Sequence, residues 1–281
     1  MSSHSSQVDL LKEHMLLGGV MAQRHRAQVA LHYHSASNEK TAVLESCALT
    51  HLADLGMMLV SGTDALGLIQ AAVACTLPDV GSFAYGAVLS GDGALLGVPM
   101  VVRTGDTEFL LLDNSSRFEL LYEWISWLSQ VEQQGVAPYE NTSVSNESTA
   151  LVPFQLTGPQ ASSILNDYLT QHATLPKQGG VANLTLDSTM SIVLHDGIAG
   201  QDSFIVLVPP AVSVVFWRSF LSFSEVEPVG HDVLDTFVRK EHPWTSALSH
   251  SDRVSVTRTM LSNWNICRSA DDFIGARALS H

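Results

Sequence analysis

Apolar and polar positions sort most clearly over residues 49–125. Met57-Met58-Leu59-Val60 is an unbroken apolar run of strand length, the pattern of a strand covered on both faces. Ser61-Gly62-Thr63-Asp64 then opens a helix over residues 65–77. Thr63 is placed to accept from the free amides of the first turn, Asp64 suits the positive end of the helix dipole, and Pro78 stops the helix. A hairpin follows, with arms at residues 84–89 and 94–103 and a turn at Ser90-Gly91-Asp92-Gly93. Thr104-Gly105-Asp106-Thr107 turns into the strand Glu108-Phe109-Leu110-Leu111-Leu112-Asp113, and a second helix spans residues 117–131. This split β-α-β order predicts an α+β fold with mostly antiparallel sheets.

The order occurs twice. Val60-Ser61-Gly62-Thr63-Asp64-Ala65 reads like Leu156-Thr157-Gly158-Pro159-Gln160-Ala161. The strand at residues 109–113, followed by a helix with Trp124, reads like residues 204–208, followed by a helix with Trp217. The offset is roughly 95 residues, longer than a solenoid period, and predicts two duplicated halves. They are drawn at residues 43–132 and 150–245, with 133–149 between them as a linker rich in Asn, Ser, Glu and Gly around Pro138.

Outside the halves, residues 8–30 have helical spacing, with Leu10, Leu11, Met15 and Leu16 as an apolar stripe. Residues 1–42 are read as an N-terminal helical extension in which 35–40 form a loop. His32 and His34 flank Tyr33, but no further ligand stands at metal spacing, so no metal is expected. A helix is predicted at residues 231–242, ended by Pro243. Residues 246–281 are a short mixed segment in which Asp271-Asp272-Phe273-Ile274 starts like a helix.

Composition narrows the function. Of 281 residues, 46% are hydrophobic and 15% charged, with a mean hydropathy of +0.16. That composition supports a sizeable core, and the low charged fraction points to oligomerisation. The net charge of −14 argues against nucleic acid and against anionic membrane surfaces. The most apolar window, residues 204–223, holds Pro209, Pro210 and Arg218 and reads as a strand plus a helix instead of a membrane span. Cys47, Cys75 and Cys267 are scattered and no basic-then-apolar leader opens the chain, so a cytoplasmic protein is expected. The chain has no GxxxxGK[ST], HExxH or GxSxG.

Several segments, in order, resemble the aminomethyltransferase family, which includes the glycine cleavage T-protein and the YgfZ-like folate-binding proteins. They are residues 49–56 leading into Leu59-Val60-Ser61-Gly62-Thr63-Asp64-Ala65; Gly91-Asp92-Gly93-Ala94-Leu95-Leu96; residues 108–114 with Arg117; and Phe154-Gln155-Leu156-Thr157-Gly158-Pro159. Gly197-Ile198-Ala199-Gly200-Gln201-Asp202-Ser203-Phe204, the helix from Gly230, and Asp272-Phe273-Ile274-Gly275 complete the series. The YgfZ cysteine segment is missing; Arg239-Lys240-Glu241-His242-Pro243 occupies its region.

The resemblance implies two folate-binding halves, tetrahydrofolate as cofactor, and one-carbon transfer from an amine. In relatives a C-terminal barrel completes a three-leaf ring. Here the barrel is absent, so a homo-oligomer or a partner subunit is expected to close the open side. Tyr85, Asp113 and Asn114 fall where relatives face the cofactor. The relatives' catalytic Asp falls on Val98, after Gly97; the pterin-clamping Glu falls on Ile205; an Arg falls on Leu234. Asp92, Asp106 and Asp202 lie near the same turns, either as turn residues or as stand-ins, and the catalytic candidates are Asp92 and Asp113. The alternative is a non-catalytic binding protein of the same fold that has lost the pterin-binding carboxylates.

Overall fold

The computed structural model describes residues 3–132, 134–170, 172–249 and 253–280. It divides into two compact units, each built from two separate stretches: residues 1–54 with 149–241, and residues 55–148 with 242–281.

The first unit begins with α1 (Ser3–Leu16), β1 (Val20–Arg24), β2 (Ala27–His32), α2 (Ala36–Glu45) and β3 (Cys47–His51). Its second stretch holds β11 (Val152–Thr157), α5 (Ala161–Asp167), β12 (Val181–Leu186), β13 (Thr189–Ile198), β14 (Gln201–Val208), α6 (Ser213–Phe220), β15 (Val226–Pro228) and α7 (His231–Glu241). Six strands form a sheet in the order β12-β13-β14-β11-β3-β15, antiparallel except for the parallel pairing of β15 with β3. Phe154, Leu156, Phe204 and Val206 enter a core with Ile164, Trp217 and Phe220 from α5 and α6.

The second unit holds β4 (Gly56–Ser61), α3 (Ala65–Ala72), β5 (Ser82–Tyr85), β6 (Val88–Leu89), β7 (Ala94–Gly97), β8 (Met100–Gly105), β9 (Glu108–Asp113), α4 (Phe118–Ser129) and β10 (Ser143–Asn146). It ends with α8 (Trp244–Ser249), β16 (Val254–Ser255) and α9 (Arg258–Asn263). Its main sheet runs β10-β4-β9-β8-β5, all antiparallel. A smaller sheet, β16-β7-β6, packs with α8 and α9 through Leu95, Trp244 and Leu261.

The duplication is visible residue by residue. β4 passes through Gly62 into α3 as β11 passes through Gly158 into α5. Gly62 N donates to Thr107 O and Gly158 N to Asp202 O, both at 3.0 Å. The strands preceding β4 and β11 are exchanged. β3 leads into β4 but pairs with β11, whereas β10 leads into β11 but pairs with β4. Pairing of β3 with β11 joins the N-terminal stretch to residues 149–241, and α8, β16 and α9 join residues 242–281 to the second unit, so the chain-order halves 43–132 and 150–245 do not coincide with the units.

Other expectations change for local reasons. The helix expected over residues 8–30 ends at Leu16, before the poor helix formers Gly18-Gly19, and a two-stranded hairpin, β1-β2, follows. The expected loop at 35–40 is the start of α2, capped by the Ser35 hydroxyl, which accepts from Asn38 N. α3 stops at Ala72, short of Pro78, because Val73 pairs with Val88 as an isolated bridge. Thr63 is not its cap: Asp64 occupies that position, and its Oδ2 accepts from the backbone and side chain of Asn141 at 3.0 Å. The region expected to be a linker contains β10, and residues 246–281 complete the second unit. After Asp271 there is only a short 3-10 turn, Ala276–Ala278. Among the described residues no helix is long and apolar enough to cross a membrane.

A Cβ on Gly62 would lie 2.0 Å from Asn141 O, and one on Gly158 would lie 2.4 Å from Ser46 O, with φ at +121° and +141°. Alanine at either position combines a strained backbone with a backbone clash. Gly62→Ala and Gly158→Ala are each expected to destabilise by about 3 kcal/mol or more in urea unfolding. Gly91→Ala, with open space around it, is the control, and equal midpoints for all three would contradict the packing described.

Candidate functional site

In the second unit the corner between β9 and α4 is built from side chains that hold backbone. Asp113 is buried, and its Oδ2 accepts from Ser115 Oγ at 2.6 Å and from Ser115 N at 3.3 Å. Ser115 Oγ accepts from Arg117 N at 3.1 Å, leading the chain into α4. Asn114 Oδ1 is shielded from solvent and has no hydrogen-bond partner among the described residues. The half-buried Tyr85 ring lies 4.4 Å from that of His242 and 5.3 Å from that of Trp244, and His242 stacks on Trp244 at 4.8 Å. Val98 is buried in the cluster that contains Trp244 and Leu248, and Arg117 Nε donates to Leu248 O at 3.4 Å. α8 therefore gathers Tyr85, Val98 and the Asp113-Asn114 corner into one neighbourhood.

In the first unit Ile205 is buried in the middle of β14, paired with Gln155 on β11 and Leu194 on β13. Leu234 is buried on α7, which packs on β2 and β13. Gln155 Nε2 donates to Ser203 Oγ at 2.8 Å, and Thr157 Oγ1 lies 2.8 Å from the same oxygen. These polar groups share the face of Ile205, opposite the helix-covered face.

Of the exposed aspartates near these turns, Asp92 and Asp202 are engaged through their carboxylates. Asp92 accepts from Ser90 Oγ and pairs with Arg253 at 2.7 Å; the Ser90 bond, then the arginine, hold its carboxyl down at about 2. Asp202 accepts from Ser162 Oγ at 2.6 Å and lies 3.0 Å from His195 Nε2, and the Ser162 bond lowers its carboxyl below the usual range. Asp106 offers its backbone oxygen to Arg103 at 3.4 Å.

A polar network in the first unit has no counterpart in the sequence reading. Tyr33 OH lies 2.8 Å from His14 Nδ1, and His14 Nε2 lies 2.9 Å from His51 Nδ1. His231 Nε2 lies 3.3 Å from His51 O, and its Nδ1 lies 3.1 Å from Arg24 NH1. Arg24 also bonds Asp235 Oδ2 at 2.8 Å and pairs with the fully buried Asp54 Oδ2 at 2.9 Å. Glu39, buried on α2, accepts from the backbone of Tyr33, His34 and Gly230 at 2.6, 3.0 and 2.9 Å. The hydrogen bonds along Tyr33, His14 and His51 are satisfied with both imidazoles neutral; protons on both rings would set His14 Nε2–H against His51 Nδ1–H. Burial lowers the His14 pKa to about 4 and pushes His51 well down and His231 down. His51 falls within residues 49–56, and its burial, which spacing does not report, is what marks it. His32, in contrast, pairs with exposed Asp232 at 3.3 Å. Among the described residues no three His, Cys, Asp or Glu side chains converge to hold a metal ion.

A model of the family described as "GCVT N-terminal domain" matches residues 10–248. Among curated relatives, an aminomethyltransferase of Bacillus cytotoxicus is 24% identical over 215 residues, covering 74% of this chain and 56% of that protein. One of Halothermothrix orenii is 23% identical over 275 residues, covering 96% and 74%. The chain thus spans between about half and three quarters of these relatives' lengths. A solved structure, glycine cleavage system aminomethyltransferase T from Bartonella henselae, superposes with a TM-score of 0.78 at 19% identity, over 96% of this chain and 72% of that one. It shares the fold.

The buried imidazoles give a signed pH dependence. Their folded pKa values lie below the unfolded value of about 6.5. The unfolded chain therefore binds more protons as pH falls, and stability present above about 6.5 is lost toward about 4. Between pH 7.5 and 5.5, His14 is expected to withdraw about 1 kcal/mol, with His51 and His231 acting in the same direction. Urea midpoints across that range should fall, and His14→Gln should flatten the slope; a flat wild-type profile would contradict neutral imidazoles.

Proposed function

The chain belongs to the family of the GCVT N-terminal domain, and from that premise we propose that it is an aminomethyltransferase-type protein. In this reading it binds a tetrahydrofolate-class cofactor and serves one-carbon transfer from an amine donor. The observation that carries the reading is the duplicated strand–turn–helix framework, which lies inside the matched residues 10–248.

The residues suit such a cofactor in part. A pterin ring offers flat faces and an edge with an N–H beside an amino group. The unpartnered Asn114 Oδ1 is an acceptor for that edge, and the Tyr85, His242 and Trp244 rings provide an aromatic surface. The charged clamp of the relatives does not fit: Val98, Ile205 and Leu234 are buried and apolar. Each pterin donor left unpaired against such a side chain costs about 1–3 kcal/mol. Asp113, the buried carboxylate at the corner between β9 and α4, already accepts from Ser115.

Those three apolar positions favour a second reading, a non-catalytic binding protein of the same fold, because no carboxylate stands there to steer a proton during transfer. Calorimetric titration with tetrahydrofolate and 5-methyltetrahydrofolate, followed by turnover with amine donors, separates the two. Weak binding, short of micromolar, is expected, and about tenfold weaker in Asn114→Ala. Binding with turnover supports the transferase; binding without turnover supports the second reading. Absence of binding at millimolar cofactor overturns the transferase and leaves the second reading, with a less polar ligand or a protein partner.

A further inference from the structure

The segment that sequence marked as a linker helps enclose a cavity of about 400 Å3 in the second unit. α4 contributes Tyr122, Ser126 and Ser129, on one helical face, and Gln130 lies at its C-cap. The chain entering β10 supplies Glu140 and Thr142, and β10 itself Val144.

Two observations point to a ligand. Ser126 Oγ and Thr142 Oγ1 are shielded from bulk solvent and have no hydrogen-bond partner among the described residues. An unpaired buried hydroxyl costs about 1–3 kcal/mol, and native structures rarely leave one without water or ligand. The second observation is the charge of the lining. Glu140 brings a carboxylate, and among the described residues no Lys, Arg or His lines the cavity. Phosphates and carboxylates would find repulsion and no counter-charge, whereas an ammonium finds an anion and hydroxyl acceptors together. The volume falls in the range of small-molecule sites.

We propose that this cavity binds a small organic amine in its ammonium form, with Glu140 pairing the charge and the Ser126 and Thr142 hydroxyls accepting its N–H groups. Val144 and the Tyr122 ring supply apolar wall for the carbon atoms. The site draws on none of the residues of the proposed cofactor reading, so either can fail alone.

Ethanolamine is the probe, with ethylene glycol and glycolate as its neutral and anionic counterparts. Calorimetry at low salt is read beside the tryptophan emission, since Trp124 and Trp127 stack on α4 at 5.2 Å. Saturable ethanolamine binding with a millimolar Kd is expected, with no glycolate binding. Glu140→Gln should weaken it about tenfold, and the double variant Ser126→Ala, Thr142→Val should weaken it further, with thermal melts close to wild type. Equal responses to ethylene glycol, an unchanged Kd in Glu140→Gln, or no saturation by about 100 mM would overturn the proposal and leave a water-filled cleft.

Discussion

The fold depends on one repeated constraint, a backbone carbonyl pressed against a glycine where a central strand turns into a helix. Asn141 O meets Gly62 in one unit and Ser46 O meets Gly158 in the other. Each carbonyl lies just ahead of the exchanged strand, β10 or β3. In the first unit Ser46 O also accepts from Gln160 N at 3.2 Å, at the start of α5. A side chain at either glycine would hold the exchanged strand off its sheet. The register of β10 on β4 and of β3 on β11 is tied to that absence of a side chain.

Strand exchange sets what each unit can present. With β3 added, the six-stranded sheet buries Phe154 and Phe204 beneath α5 and α6, and keeps Ile205, Gln155 and Thr157 together on its other face. With β10 added, the edge of the five-stranded sheet beside β4 is covered, and the segment entering β10 becomes a wall of the cavity against α4. Burial of Val98, Ile205 and Leu234 makes these positions compatible with hydrophobic stabilisation. A charge placed at any of them would have to be paired to be tolerated.

The first unit also buries an unusual amount of polar chemistry. Asp54 and His231 are almost wholly enclosed, and His14 is nearly so. Arg24 joins this group to Asp235 on α7, and Glu39 stitches α2 to the strand end at Tyr33 and to Gly230. Such a network ties the N-terminal stretch to elements near residue 230, contacts that are distant in sequence and satisfied only in one geometry.

Local pattern was enough to read much of the framework from the sequence alone. The β9 strand from Glu108 to Asp113, the turn-to-helix segments after Gly62 and Gly158, the α7 helix and the twofold repetition all rest on interactions between near neighbours, which periodicity reports directly. The α+β class follows from them, whereas the family is legible only in the ordered motif segments that resemble it. What tertiary structure decided is whatever depends on partners far along the chain. It exchanged β3 and β10, ended α3 at Val73 through a bridge to Val88, and turned a polar segment into a strand. It also collected His14, His51, His231 and Asp54 from separate parts of the sequence. Tyr85, Val98, Asp113 and Asn114 could be named from motifs, but their meeting around α8 could not, because Trp244 and Leu248 carry no periodic signal that assigns them a partner. Hydrogen-bond satisfaction and close packing are properties of the assembled chain, and a single strand or helix does not contain them.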